Sequence, residues 1–159
     1  MRKVLIFGNS GSGKSTLAKK ICVSADLSHL DLDTLAWKST LPPERKPLME
    51  SELEISRFIN TNEEWVIEGC YSDLLEMALP SSSEIVFMNL PIKLCIENAG
   101  KRPWEPHKYE SKEAQDNNLE MLIGWISQYS ERNDTFSEVA HKDLYEKYSG
   151  KKRAVTSNE

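Results

Sequence analysis

Residues 8–15 read Gly-Asn-Ser-Gly-Ser-Gly-Lys-Ser and satisfy the spacing G-x-x-x-x-G-K-[ST] at every constrained position. What flanks that spacing turns it into a constraint on the fold. Val4 to Phe7 is an apolar run short enough for a buried strand, and Thr16 to Cys22 continues as a helix that buries Leu17, Ala18 and Ile21 and leaves Lys19 and Lys20 in water. A strand feeding a glycine-rich turn and then a helix is a device for holding phosphate. Gly8, Gly11 and Gly13 let the backbone approach an anion closely, so that successive N–H groups face inward. The helix leaving the turn adds unpaired amides and the positive end of its dipole. The expectation is a nucleotide-binding loop made of Gly8, Ser10, Gly11, Ser12, Gly13, Lys14, Ser15 and Thr16. In it Lys14 bridges the outer phosphates, Ser15 supplies a hydroxyl ligand to Mg²⁺ and Thr16 reaches the inner phosphate.

A chain of 159 residues fits one domain with a substantial core. Its formal charge of −5 argues against a large nucleic-acid footprint, because binding a phosphate backbone needs clustered lysine and arginine. The dense basic run, Lys151-Lys152-Arg153, is expected to flank a strand. No apolar stretch is long enough to span a bilayer, and the chain enters its first strand without a secretory pattern, so a cytoplasmic location is expected. Cys22, Cys70 and Cys95 share no metal-ligand spacing and read as free thiols, and His29, His107 and His141 are too scattered to suggest zinc.

Strand and helix patterns alternate along the rest of the chain. A second strand is expected over 28–32, ending in Asp31-Leu32-Asp33, followed by a connection punctuated by Pro42, Pro43 and Pro47. A helix then carries Met49, Leu53, Ile55, Phe58 and Ile59. Further strands are expected over 65–67 and 84–90, and Pro91 suits the first turn of a helix holding Leu94, Cys95 and Ile96. Lys101 to Lys112 reads as a charged loop. Leu119, Leu122, Ile123 and Ile126 repeat at helical spacing, widened by Trp125 and Tyr129. Thr135 and Glu138 form a capping box for a last helix bearing Val139, Ala140, Leu144 and Tyr148, stopped by Ser149-Gly150, and 154–156 is expected to be a fifth strand. Such alternation predicts an α/β fold in which a parallel sheet is covered on both faces and ligands gather at the carboxyl ends of the strands.

That rule collects the polar residues. Asp31 and Asp33 close the second strand, Glu68-Gly69 the third and the phosphate loop the first. Carboxylates beside a polyphosphate require a neutralising cation, so Mg²⁺ belongs to the expectation, with Ser15 as direct ligand and Glu68 and Asp31 in its water shell. Asp33 is the candidate to orient or deprotonate an acceptor hydroxyl.

With these residues in place the chain resembles the P-loop small-molecule kinases of the adenylate kinase-like group. Trp65-Val66-Ile67-Glu68-Gly69 is similar to the hydrophobic-strand-then-Asp-Gly motif of nucleoside monophosphate kinases, with Glu in place of Asp. Asp31-Leu32-Asp33 is similar to the Asp-x-Asp of shikimate kinases, and Arg102-Pro103 to the Arg-Pro that opens their lid. Their Gly-Gly-Gly turn is replaced here by Glu68-Gly69-Cys70. His29-Leu30-Asp31, Asp33 with Trp37, the run from Trp65 to Tyr71, and Pro91 with Cys95 look like the bacterial group labelled DNA topology modulation proteins. The resemblance implies a three-layer αβα P-loop NTPase fold with a five-stranded parallel sheet in the order 2-3-1-4-5. It also implies an acceptor-binding insertion at about 34–63 and a lid at about 101–112. The activity implied is ATP-dependent transfer of a phosphoryl group to a small-molecule acceptor, with Lys14, Asp33 and Arg102 catalytic and Asp33, Trp37, Arg57 and Gly69 around the acceptor. Trp37 either stacks on a ring or packs, and the chain after the last strand, 156–158, lies near the adenine; the closing helix that such folds often carry has no room before Glu159. Two alternatives stand beside this one: a nucleoside monophosphate or shikimate kinase-like enzyme, and a DNA-topology-associated regulator that binds ATP without transferring it.

Overall fold

The computed structural model describes residues 1–40 and 43–158; of the proline-punctuated connection, Pro42 lies outside the described residues. Five strands form one parallel sheet in the order β2-β3-β1-β4-β5. They are β1 (Lys3–Gly8), β2 (Ser28–Asp31), β3 (Trp65–Gly69), β4 (Glu84–Met88) and β5 (Lys151–Val155). The helices are α1 (Lys14–Ala25), α2 (Asp33–Ala36), α3 (Leu48–Thr61), α4 (Ser72–Ala78), α5 (Ile92–Lys101), α6 (Lys112–Ser127) and α7 (Glu138–Lys147).

Side-chain alternation along the central strands sorts the core into two faces. Leu5, Phe7, Trp65, Ile67, Ile85 and Phe87 point to one side, where they meet Leu35 of α2, Ile55 of α3, Leu74 and Leu75 of α4 and Leu144 of α7. Val4, Ile6, Val66, Val86 and Met88 point to the other, against Ala18 and Ile21 of α1, Cys95 and Ala99 of α5 and Ile126 of α6. Strands buried on both faces explain why they read as unbroken apolar runs, and the result is a three-layer αβα sandwich.

Several local expectations are corrected. Asp31 ends β2, but Asp33 opens the short helix α2, which the proline-rich composition nearby conceals. Helix α3 forms, yet Met49 and Leu53 are exposed and its buried face is carried by Ser51 and Ile55, with Phe58 and Ile59 packed at the margin. Pro91 is the residue before α5, outside its first turn. Helix α7 is capped by Ser137, whose side chain accepts a hydrogen bond from the Ala140 N–H. Thr135 does different work: its Oγ1 accepts the Asp73 N–H at 3.0 Å and so serves the first turn of α4, a helix absent from the sequence reading. Lys151, Lys152 and Arg153 lie inside β5, the exposed edge strand, where charge discourages pairing with another chain. No helix among the described residues is long and apolar enough to cross a membrane.

Candidate phosphate and acceptor site

Register brings the candidate residues to one rim. Asp31 is level with Glu68, Glu68 with Ile6, and Phe7 with Gly69, so the carboxyl ends of β1, β2 and β3 coincide. Gly8 leaves β1 and the chain turns through Asn9 to Gly13 into α1. Gly11 and Gly13 sit at φ 79° and 91°, where a side chain is strained. Space forbids one as well: a Cβ on Gly11 would strike the Cys95 carbonyl of α5, and a Cβ on Gly13 would come within 2.7 Å of the Asn158 amide. The Ser12 N–H closes the turn on the Asn9 carbonyl at 3.2 Å. Helix α1 starts without a capping side chain and without an acid in its first turn, so its leading amides are left for an anion. Lys14 folds back to donate from Nζ to the Asn9 carbonyl at 2.7 Å, which holds its ammonium over the loop. The Ser12 hydroxyl is buried with no hydrogen-bond partner. Ser10 is half-buried on the turn and Thr16 is exposed on the first turn of α1.

Behind the loop, Ser15 Oγ donates to Glu68 Oε2 at 2.7 Å, and His29 Nε2 lies 3.0 Å from the same oxygen. Glu68 is buried, so these neighbours take the place of water. Asp31 Oδ1 accepts the Asp33 N–H at 3.0 Å. Burial first, then the charges of Glu68 and Asp33, push the Asp31 carboxyl above its ordinary value. Asp33 goes the other way. Burial opposes its charge, but the Lys108 ammonium at 2.7 Å and the Tyr71 hydroxyl on Oδ1 together hold it below the usual carboxylate range. Tyr71 in turn accepts from Trp37 Nε1 at 2.9 Å, so a hydrogen-bond chain runs from Trp37 through Tyr71 to Asp33.

Lys108 lies in the segment between α5 and α6. Its Nζ is also 3.6 Å from Asp31 and 3.5 Å from Glu105. Its charge survives burial because those acids surround it, and its pKa stands above the ordinary lysine value. Arg102 points elsewhere, pairing with Glu105 at 3.4 Å, while the Glu105 N–H donates to Gln115 of α6 at 2.8 Å. The cation of this loop at the acid pair is therefore Lys108, with Arg102 one step behind it. Sequence spacing offers no signal for that choice, because both are basic residues in a loop.

Trp37 is 38% exposed and joined to Arg45 by an antiparallel bridge. The Arg45 guanidinium lies 5.0 Å from the Tyr71 ring centroid, near the Phe136 ring also, and pairs with Asp73 at 3.2 Å. Gly69 is buried at the end of β3, where a Cβ would approach Leu32 to 2.9 Å. Arg57 stands on the exposed side of α3, away from buried Ile55. The carboxyl-terminal segment reaches the loop: Asn158 Nδ2 donates to the Ser12 carbonyl at 3.1 Å, and Asn98 of α5 donates to the Gly11 carbonyl at 2.9 Å. These two asparagines buttress the loop and carry no motif.

Among the described residues no cluster of three or more histidine, cysteine, aspartate or glutamate side chains is arranged to hold a metal by itself. The donors present, the Ser15 hydroxyl with Glu68 and Asp31 behind it, suit a hard cation that shares its shell with water and phosphate oxygens.

No family model matches the chain. It is 26% identical to the uncharacterized protein YqaC of Bacillus subtilis (strain 168), over 91% of this chain and 80% of that one. A shikimate kinase from Acinetobacter baumannii, solved with shikimate, superposes with a TM-score of 0.56 at 12% identity, covering 100% of this chain and 85% of that one. A deoxyadenosine kinase from M. mycoides, solved with dATP, superposes with a TM-score of 0.51 at 13% identity, over 97% of this chain and 90% of that one. The sheet order and flanking helices are those of the P-loop NTPase kinase fold.

Proposed function

We propose that the protein is a phosphotransferase that moves the γ-phosphoryl group of ATP to a small-molecule acceptor. The observation that carries this reading is a glycine cradle with free helix amides on the same strand rim as an ionised, internally anchored aspartate. The amides following Gly13, with the Lys14 ammonium, bind the phosphate tail and offset the charge that accumulates on it as transfer proceeds. Ser15, with Glu68 and Asp31 behind it, would hold Mg²⁺, which would supply further charge neutralisation. Asp33, fixed by Tyr71, accepts a hydrogen bond from the acceptor hydroxyl and aligns its oxygen. The 101–112 segment covers the rim as a lid, and its cations, Lys108 with Arg102 behind, exclude water and balance charge.

The assignment is tested by measuring ADP release across a panel of small metabolites, with Lys14→Ala and Asp33→Asn alongside the wild type. Lys14→Ala is expected to weaken ATP binding and lower turnover at least ~100-fold, whereas Asp33→Asn is expected to lower turnover comparably and leave ATP affinity within about threefold. Equal loss of ATP affinity in both variants contradicts this division of roles.

A further inference from the structure

Two of the cations near Asp33 are already paired with acids. Lys108 is shared among Asp33, Asp31 and Glu105, and Arg45 is paired with Asp73 with its guanidinium lying over the Tyr71 and Trp37 rings. Arg57, expected from the sequence near the acceptor, stands exposed on α3, two residues from buried Ile55. The carboxylates of Asp31 and Asp33 therefore stand at this rim with one shared ammonium between them. Asp33 already accepts from the Tyr71 hydroxyl and the Lys108 ammonium, so a further partner of its oxygens must bring a proton: a hydroxyl satisfies it, while a phosphate monoester presents acceptor oxygens and negative charge beside the Asp31 and Asp33 carboxylates.

From this pairing we infer that the acceptor is an uncharged alcohol and that the site selects against phosphate monoesters. The inference rests on the kinase reading above and narrows it, setting aside a nucleoside monophosphate as substrate. In the step, the alcohol oxygen forms a bond to the γ-phosphorus as the bond from that phosphorus to the bridging oxygen breaks. ADP leaves with the bond pair, and the hydroxyl proton departs through Asp33 to solvent or to the phosphoryl product. Trp37, exposed beside Tyr71, offers an apolar face on which the rest of the alcohol can lie.

The test pairs each neutral alcohol with its own phosphate ester, nucleosides with nucleoside 5′-monophosphates and hexoses with hexose 6-phosphates. ADP release is measured with magnesium and ATP, and ATP binding is followed separately by calorimetry. For the best-used pair, kcat/KM is expected to favour the uncharged member at least tenfold. Faster use of the phosphorylated member overturns the acceptor assignment and leaves the kinase reading standing. ATP binding without ADP release from any member overturns both. Asp73→Asn keeps a side-chain oxygen for the Leu74 N–H and removes the charge that neutralises Arg45, so the preference is expected to narrow at least fivefold with an unchanged thermal midpoint. An unchanged preference in that variant contradicts the role given to the Arg45–Asp73 pair.

Discussion

His141 shows how one buried side chain makes stability depend on pH. Its Nε2–H donates to the Cys70 carbonyl at 2.8 Å and its Nδ1 lies 2.7 Å from the Tyr129 hydroxyl, beside the stacked Phe7 and Phe87 rings, an arrangement made for the neutral tautomer. Burial pulls its pKa down from 6.5 to about 4. The folded state therefore binds this proton less readily than the unfolded chain. Stability is fully present above pH 6.5 and falls as the pH drops toward 4, by about 3 kcal/mol in all. Between pH 7 and pH 5, urea unfolding of the wild type is expected to lose about 2 kcal/mol more than His141→Gln, a variant that donates and accepts without titrating. Parallel losses would show that other groups govern the acid limit. Cys70 follows the same physics, burial pushing its thiol up to about 12, which keeps it out of nucleophilic chemistry. At this scale the phosphate loop was legible because its constrained residues are neighbours in the chain. Lys108 at Asp33 was not, because that contact is made only when a distant loop folds over β2.

Thr135 secures a different helix from the one its spacing suggests. A threonine three residues before a glutamate has the spacing of a capping box, yet its hydroxyl is taken by the Asp73 N–H and Ser72 Oγ, far away in sequence, and Ser137 caps α7 instead. One segment thus secures the starts of two helices. Thr135→Val and Ser137→Ala are each expected to cost about 1 kcal/mol in urea unfolding, and the double variant about the sum, because they release different helices. No loss in Thr135→Val would show that α4 does not depend on this remote acceptor. Helix α4 escaped the sequence reading for a related reason. Leu74, Leu75 and Ala78 form an apolar patch too short to display a period, so the helix is fixed by packing on Ile67 and Trp65 rather than announced by pattern. The strands were legible because central parallel strands must be apolar on both faces, and the sequence could not separate α3's exposed Met49 and Leu53 from its core face.

For the whole molecule, parallel register assembles chemistry that no single segment contains. β1 delivers the phosphate loop, β2 the Asp31 carboxylate and β3 Glu68, all at one level, while α5 and the carboxyl-terminal segment brace the loop through Asn98 and Asn158. The resemblance to P-loop kinases anticipated that sheet order, and the superpositions share it at identities that speak for the fold alone. What the sheet presents at its rim is a glycine-rich turn, the uncapped start of α1 and the Lys14 ammonium, and the proposed function depends on their gripping a polyphosphate. The most direct measurement is a calorimetric titration of the wild type and Lys14→Ala with ATP in the presence of magnesium. Saturable binding at one site, weakened at least tenfold by the substitution, is the predicted result; absence of binding, or an affinity indifferent to Lys14, would contradict it.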